Sequence, residues 1–220
     1  MDHVRLKPRE RGAQLYRTRA NGTGGEESVS RSKDERLPQA WARDGDILVY
    51  QSKPDFKLGL LQFPEGKVSR PFDDSTGSSI QGFGQVSPDG RWLTYAVSET
   101  GEDWDIYVQS FPMAGRGKWR VSGDWGASPR WSRDGREIFY YARDGRLMAV
   151  RVINRGPGLE FGRAAPLFEA ALLGGPAPAP PFKQQYDVAS DGRFLLNVPV
   201  EHVSSQSLTV VVNWTAGLTR

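Results

Sequence analysis

The sequence predicts an all-β fold of repeated four-stranded antiparallel units, on three observations. The first is a recurring phrase: an apolar residue, then an Asp-Gly pair, then an apolar run. It stands at Trp41-Ala42-Arg43-Asp44-Gly45, Val86-Ser87-Pro88-Asp89-Gly90, Trp131-Ser132-Arg133-Asp134-Gly135 and Val188-Ala189-Ser190-Asp191-Gly192. Asp44, Asp89 and Asp134 follow one another at 45 residues, and Asp191 follows after 57. The second is the filling between the phrases, short apolar runs parted by turn residues and without the 3.6 spacing of a long helix. The third is composition. Gly 25 and Pro 15 among 220 residues supply turns, and 11% aromatic residues, seven of them Trp, suit pleated faces. Four strands per unit at a period of about 40–45 residues is the arithmetic of β-propeller blades.

The elements follow in order. Residues 1–11 are polar and read as an irregular lead-in, and 12–30 hold about two strands of a partial blade. Complete blades are expected at about 33–72, 80–122 and 125–168, with a last partial blade at 183–215. In each, Asp-Gly turns the first strand into the second. Gly accepts φ > 0 there, and the Asp side chain bonds nearby backbone N–H groups. A second hairpin follows: residues 98–103 part strands 93–97 and 105–109, and residues 143–146 part 138–141 and 147–152. Fourth strands are expected at 119–122 and 165–168. The lengthened last step falls on Gly174-Gly175-Pro176-Ala177-Pro178-Ala179-Pro180-Pro181. Prolines cannot donate to a ladder, so 174–181 reads as a loop inserted between units.

Composition narrows function. With 38% hydrophobic and 25% charged residues the chain reads as globular. It has no Cys, which excludes disulfides, thiolate metal sites and Cys nucleophiles. His3 and His202 stand alone, so a His-based metal centre or a Ser-His-Asp triad is not expected. Net charge is +3, and Arg17, Arg19, Arg31, Lys33, Arg130, Arg133 and Arg136 are spread among acids instead of clustered. Nucleic acid is therefore not an expected partner. No apolar run approaches the roughly 18 residues of a membrane helix. Residues 1–11 lack the apolar middle of a signal peptide. Neither membrane insertion nor export is encoded in these residues, and the compartment is left open.

Three phrases carry a resemblance. Ser87-Pro88-Asp89-Gly90-Arg91-Trp92-Leu93, Pro129-Arg130-Trp131-Ser132-Arg133-Asp134-Gly135 and Tyr186-Asp187-Val188-Ala189-Ser190-Asp191-Gly192 resemble the WD40-like repeats of TolB-type propellers. The tract 86–220 further resembles the C-terminal propeller of certain bacterial serine/threonine protein kinases. It does so through Ile106-Tyr107-Val108-Gln109-Ser110-Phe111-Pro112, Glu137-Ile138-Phe139-Tyr140, Leu147-Met148-Ala149-Val150 and the ending Val211-Val212-Asn213-Trp214-Thr215-Ala216-Gly217-Leu218. Leu15-Tyr16-Arg17-Thr18-Arg19-Ala20-Asn21-Gly22 is similar to the third strand and turn of a preceding blade. The resemblance implies a six-bladed ring, of which this chain resembles the last four to five blades. Sheet edges left open would invite pairing with another chain. In those kinases the catalytic domain precedes the propeller, which usually lies beyond a membrane helix. None of the kinase motifs is present here, and Asp55-Phe56-Lys57-Leu58-Gly59 has Lys where Asp-Phe-Gly requires Gly. Phosphotransfer is not carried over, whereas a role in sensing or protein contact is.

The candidate sites are few. Asp44, Gly45, Asp89, Gly90, Asp134, Gly135, Asp191 and Gly192 read as structural turns. One Asp per blade cannot converge on a metal ion, and no cofactor is expected. The pairs Asp73–Asp74 and Asp103–Asp105 suggest hydrolase chemistry only weakly. Gly77-Ser78-Ser79-Ile80-Gln81-Gly82 places its second Gly one residue late for a nucleophile elbow. Trp41, Trp92, Trp119, Trp131 and Trp214 read as packing between blades. Asp103, Trp104, Asp124 and Trp125 fall in or beside loops on one face, and are expected to anchor a partner through exposed aromatics beside charge. The expectation is a non-enzymatic scaffold or sensor for protein or small ligand. The alternatives are a detached C-terminal piece of such a kinase, or a propeller hydrolase.

Overall fold

A computed structural model describes residues 2–199 apart from 10–11, 20, 22, 30–31, 33, 43, 73–78, 116, 156–157 and 176–182. The expectations for Arg31, Lys33, Asp73, Asp74, Gly77, Ser78 and Trp214, for all but the first two residues of the inserted loop at 174–181, and for the chain after 199, lie outside these residues. Among the described residues every regular element is a strand.

Five antiparallel sheets follow in chain order. The first joins β1 (Asp2–Arg9), β2 (Gly12–Arg19) and β3 (Glu27–Ser28). The second is the meander β4 (Arg36–Trp41), β5 (Ile47–Ser52), β6 (Leu58–Gln62) and β7 (Lys67–Ser69). The third is β8 (Ile80–Val86), β9 (Trp92–Ser98), β10 (Trp104–Ser110) and β11 (Lys118–Arg120). The fourth holds β12 (Ala127–Trp131), β13 (Glu137–Tyr141), β14 (Arg146–Arg155), β15 (Gly158–Phe161) and β16 (Ala165–Glu169). The last pair is β17 (Tyr186–Val188) and β18 (Phe194–Leu196). Initial strands of successive sheets lie side by side, β4 by β8, β8 by β12 and β12 by β17. This is the all-β, four-stranded-blade architecture that the repeat predicts.

Period-2 patterning explains why the sheets stack. Successive residues of a strand point to opposite faces, and here both faces are covered by neighbouring blades. In β5, Leu48 and Tyr50 pack with Leu15 of the first sheet, while Val49 packs towards the third. In β9, Leu93, Tyr95 and Val97 face back to Val49, Leu58 and Leu60, while Trp92 and Ala96 face forward. In β13, Ile138 and Tyr140 face back to Ile106 and Trp104, while Phe139 and Tyr141 meet Tyr186 and Phe194. Strands covered on both sides need not alternate: β5 and β9 are buried along their whole length, buried polar Gln51, Ser52, Thr94 and Ser98 included.

Two expectations need correction. Residues 2–9 are not irregular: they form β1, paired with β2 from Asp2↔Arg19 to Arg9↔Gly12. Val4 and Leu6 alternate with polar neighbours there, and Pro8 is tolerated because β1 is the edge of its sheet. The fourth sheet also carries an unforeseen hairpin. β14 runs ten residues, its first half pairing with β16 and its second half with β15.

The four Asp-Gly turns share a backbone bond from the Gly N–H to the carbonyl three residues back, and two of them add a Ser–Asp side-chain network. Ser87 Oγ donates to Asp89 Oδ1 at 2.5 Å and accepts from Trp92 N at 3.0 Å; Asp89 Oδ1 also accepts from Arg91 N at 3.1 Å. The next blade repeats this with Ser132, Asp134, Arg136 and Glu137. Gly45, Gly90, Gly135 and Gly192 take φ of +73°, +73°, +71° and +83°, the left-handed region that makes Gly the natural residue. Each complete blade also bulges in its first strand, between Pro38 and Ala40, Gly82 and Gln85, and Ala127 and Arg130.

Candidate functional site

The face singled out by the sequence is built where the third sheet passes to the fourth. The β9–β10 loop, the 121–126 crossing and the β13–β14 turn converge there. Asp103, exposed on the loop, pairs with Arg143 at 2.5 Å. The Arg143 guanidinium also lies 5.7 Å from the Trp125 ring centre. The crossing is pinned to the loop by Gly126 N donating to Trp104 O at 2.8 Å and Trp125 Nε1 donating to Glu102 O at 2.9 Å. Asp105 is held by Arg120, and Ser122 Oγ donates to it at 3.1 Å.

The structure thus brings Asp103, Trp104 and Trp125 together, but the expected exposed aromatic anchors are corrected. Trp104 is 1% exposed and Trp125 6% exposed. Trp104 Nε1 satisfies itself on Gly101 O at 3.0 Å, so the indole can sit in the core against Phe83. What the face offers solvent is charge: Glu102, Asp103, Asp124, Arg143 and Asp144 are exposed. Burial raises the pKa of Tyr140 beneath it, and the Asp124 and Asp144 carboxylates push the same way. Arg143 was not singled out by the sequence. It looks like any turn residue, and only folding brings it to Asp103.

The other candidates resolve into structural roles. Asp134 is held below the ordinary carboxylate range, chiefly by the Ser132 hydroxyl and then by the Arg136 backbone N–H. Asp191 likewise accepts from Arg193 N at 3.2 Å. Asp44 is exposed in its turn, where Gly45 N donates to Ala42 O at 3.0 Å. Trp92 and Trp131 are buried between the third and fourth sheets, and Trp119 packs edge-on to Trp92. Trp41 packs on Phe63. Ser79 is buried and meets the Lys57 ammonium at 2.9 Å, not a base. Among the described residues no cluster of three or more His, Cys, Asp or Glu could hold a metal. No helix there is long and apolar enough to cross a membrane.

A protein assigned as TolB from Agrobacterium tumefaciens superposes with a TM-score of 0.59 at 20% identity, over 80% of this chain and 64% of that one. TolB from Acinetobacter baumannii gives 0.54 at 20% identity, over 84% of this chain and 42% of that one. Puromycin hydrolase gives 0.60 at 22% identity, over 89% of this chain and 34% of that one. The chain therefore has a TolB-like β-propeller fold and spans less than two thirds of each of these proteins. At such identities the likeness bears on fold alone. No protein-family model matches the chain, and no curated protein does.

Proposed function

We propose that the chain is a non-enzymatic propeller module that binds a protein or small ligand. We further propose kinship with the propellers that follow the kinase domain in certain bacterial serine/threonine kinases. One observation carries the binding reading. Among the described residues, the Asp residues that the sequence singled out at turns and in the 103–105 pair have partners: Asp89, Asp134 and Asp191 accept from turn amides, and Asp103 and Asp105 pair with Arg143 and Arg120. What remains is a charged face on a rigid, Trp-filled support, which suits docking more than turnover. The kinase kinship rests on the phrases at 106–112, 137–140 and 147–150, which fall in β10, β13 and β14 and their borders.

The test compares the wild type with Asp103→Ala/Asp124→Ala. Both side chains are exposed, so the variant folds. Capture of a partner at about 0.1 M salt, weakened in the variant and at about 0.5 M, is the expected result. Equal capture by both proteins would remove this face from the proposal. Turnover of nitrophenyl esters or peptide nitroanilides would overturn the non-enzymatic reading. Trp125→Ala is the wrong probe: it empties the core and costs about 3–5 kcal/mol of stability.

A further inference from the structure

One hairpin departs from the pairing that the others share. Counted from the Asp of each turn, the residue three before it pairs with the residue four after it in the second, third and fourth sheets: Trp41↔Leu48, Val86↔Leu93 and Trp131↔Ile138. In the last sheet Val188 pairs instead with Phe194, three after Asp191. The backbone bonds agree. Ala42, Ser87 and Ser132 donate their N–H groups to the carbonyls of Ile47, Trp92 and Glu137, whereas Ala189 N donates to Arg193 O, one residue nearer the turn. A slip of one residue exchanges the two faces of a strand. Leu48, Leu93 and Ile138 face the preceding sheet, whereas Leu195, at the same place in the repeat, is 76% exposed. Phe194 and Leu196 take the inner face, the Phe194 ring centre lying 5.0 Å from that of Phe139 and 5.4 Å from that of Phe168.

Two features hold the common register elsewhere, and among the described residues the last hairpin has neither. In the third and fourth sheets the Ser two residues before the Asp accepts from the amide three after it: Ser87 Oγ from Trp92 N at 3.0 Å, and Ser132 Oγ from Glu137 N at 2.9 Å. The last turn has Ala189 in that place. The second sheet has Ala42 there, but its β5 is also fixed by β6, from Ile47↔Gln62 to Gln51↔Leu58. Among the described residues β18 pairs only with β17. A two-stranded ribbon without a side-chain clamp specifies its register weakly. We propose that this hairpin is a bistable element of the fold, resting in the slipped pairing and stepping by one residue to Val188↔Leu195. The step turns Leu195 inward and Phe194 and Leu196 outward. Showing Phe194 and Leu196 to water costs more than showing Leu195, which makes the slipped pairing the resting one. This bistability is independent of the binding reading.

The chain has no Cys, so an introduced pair reports its own contact. Directly opposed residues of paired strands lie within disulfide reach. Asp187→Cys/Leu195→Cys joins residues opposed in the slipped pairing, and Val188→Cys/Leu195→Cys joins residues opposed only after the step. The full chain is oxidised with diamide, and closure is timed by alkylating the remaining thiols and weighing the intact protein. The first pair should close fast and the second at least about tenfold more slowly, as contact through a minor state of roughly 10% or less would. Ala189 is exposed, so Ala189→Ser leaves packing alone and supplies the hydroxyl that would accept from the Phe194 N–H after the step. It should reverse the order of the two rates. Ala189→Ser without introduced Cys should also raise the fluorescence of added anilinonaphthalene sulfonate, because Phe194 and Leu196 then face water, while the tryptophan-detected thermal transition is retained. Failure of the second pair to close in the parent chain overturns the bistability. An unaltered order of closure in Ala189→Ser, or an unaltered dye signal, overturns it as well.

Discussion

Gly126→Ala offers a sharp test of how tightly the third and fourth sheets meet. Gly126 N donates to Trp104 O, and alanine keeps that bond, so only space is altered. A Cβ there would stand 2.9 Å from Ile106 Cγ1, 2.9 Å from Tyr140 Cδ2 and 3.0 Å from Ser122 Cβ. None of these is the free end of a flexible side chain, and all three residues are buried. Overpacking of this kind costs about 1–3 kcal/mol. Gly123, three residues earlier, is exposed and has nothing within 4 Å of its Cβ position. Replacing Gly by Ala at either site restricts the unfolded chain and stabilises by about 0.4–1 kcal/mol. That common term cancels when the two variants are compared, leaving the clash. Urea unfolding followed by tryptophan fluorescence is the assay. With a slope of about 2–3 kcal/mol/M, Gly126→Ala should unfold roughly 0.3–1.5 M earlier than Gly123→Ala. Midpoints coinciding within about 0.1 M refute the steric account.

Two further outcomes are expected. Burial pushes the Asp55 carboxyl up, but hydrogen bonds from Ser52 and Arg70 and the Arg70 charge outweigh it, so its pKa lies below the ordinary value. A depressed folded pKa stabilises above the unfolded value of about 3.9 and is lost as pH falls through the folded one. Wild type should therefore lose stability below about pH 4 more steeply than Asp55→Asn, and identical acid limbs would count against the ion pair. The second concerns association through sheet edges. Among the described residues, β1 is paired on one side only, the last sheet has two strands, and Leu195 is 76% exposed. Concentration-dependent growth in mass by light scattering is expected, and a clean, heat-stable monomer would sink it.

The architecture was legible in the sequence because its signals are local. An Asp-Gly turn needs only a Gly at positive φ and an Asp whose carboxylate reaches an amide two residues on. The 45-residue step reports the same turn made blade after blade. The β14–β15 hairpin was less legible, although Arg155-Gly156-Pro157-Gly158 has turn composition. Its strands are short, and a single unit departing from the repeat looks like a loop. β1 was missed because residues 1–11 are largely polar, and only its pairing with β2 in the folded chain marks it as a strand.

The sequence by itself determined the all-β class, the blade period and the residues of each turn, since these depend on neighbours a few positions apart. Only tertiary structure decided what each aromatic and charged side chain does. Trp104 and Trp125 sit in loop-like sequence yet are buried, because the neighbouring blade covers them and Gly101 and Glu102 carbonyls accept their N–H groups. Asp103 meets Arg143, 40 residues away, only because adjacent blades bring their loops to one face. Trp131, read as packing, does pack, in the core between the third and fourth sheets. Burial and partnership across blades are properties of the stacked sheets, and no local pattern encodes them.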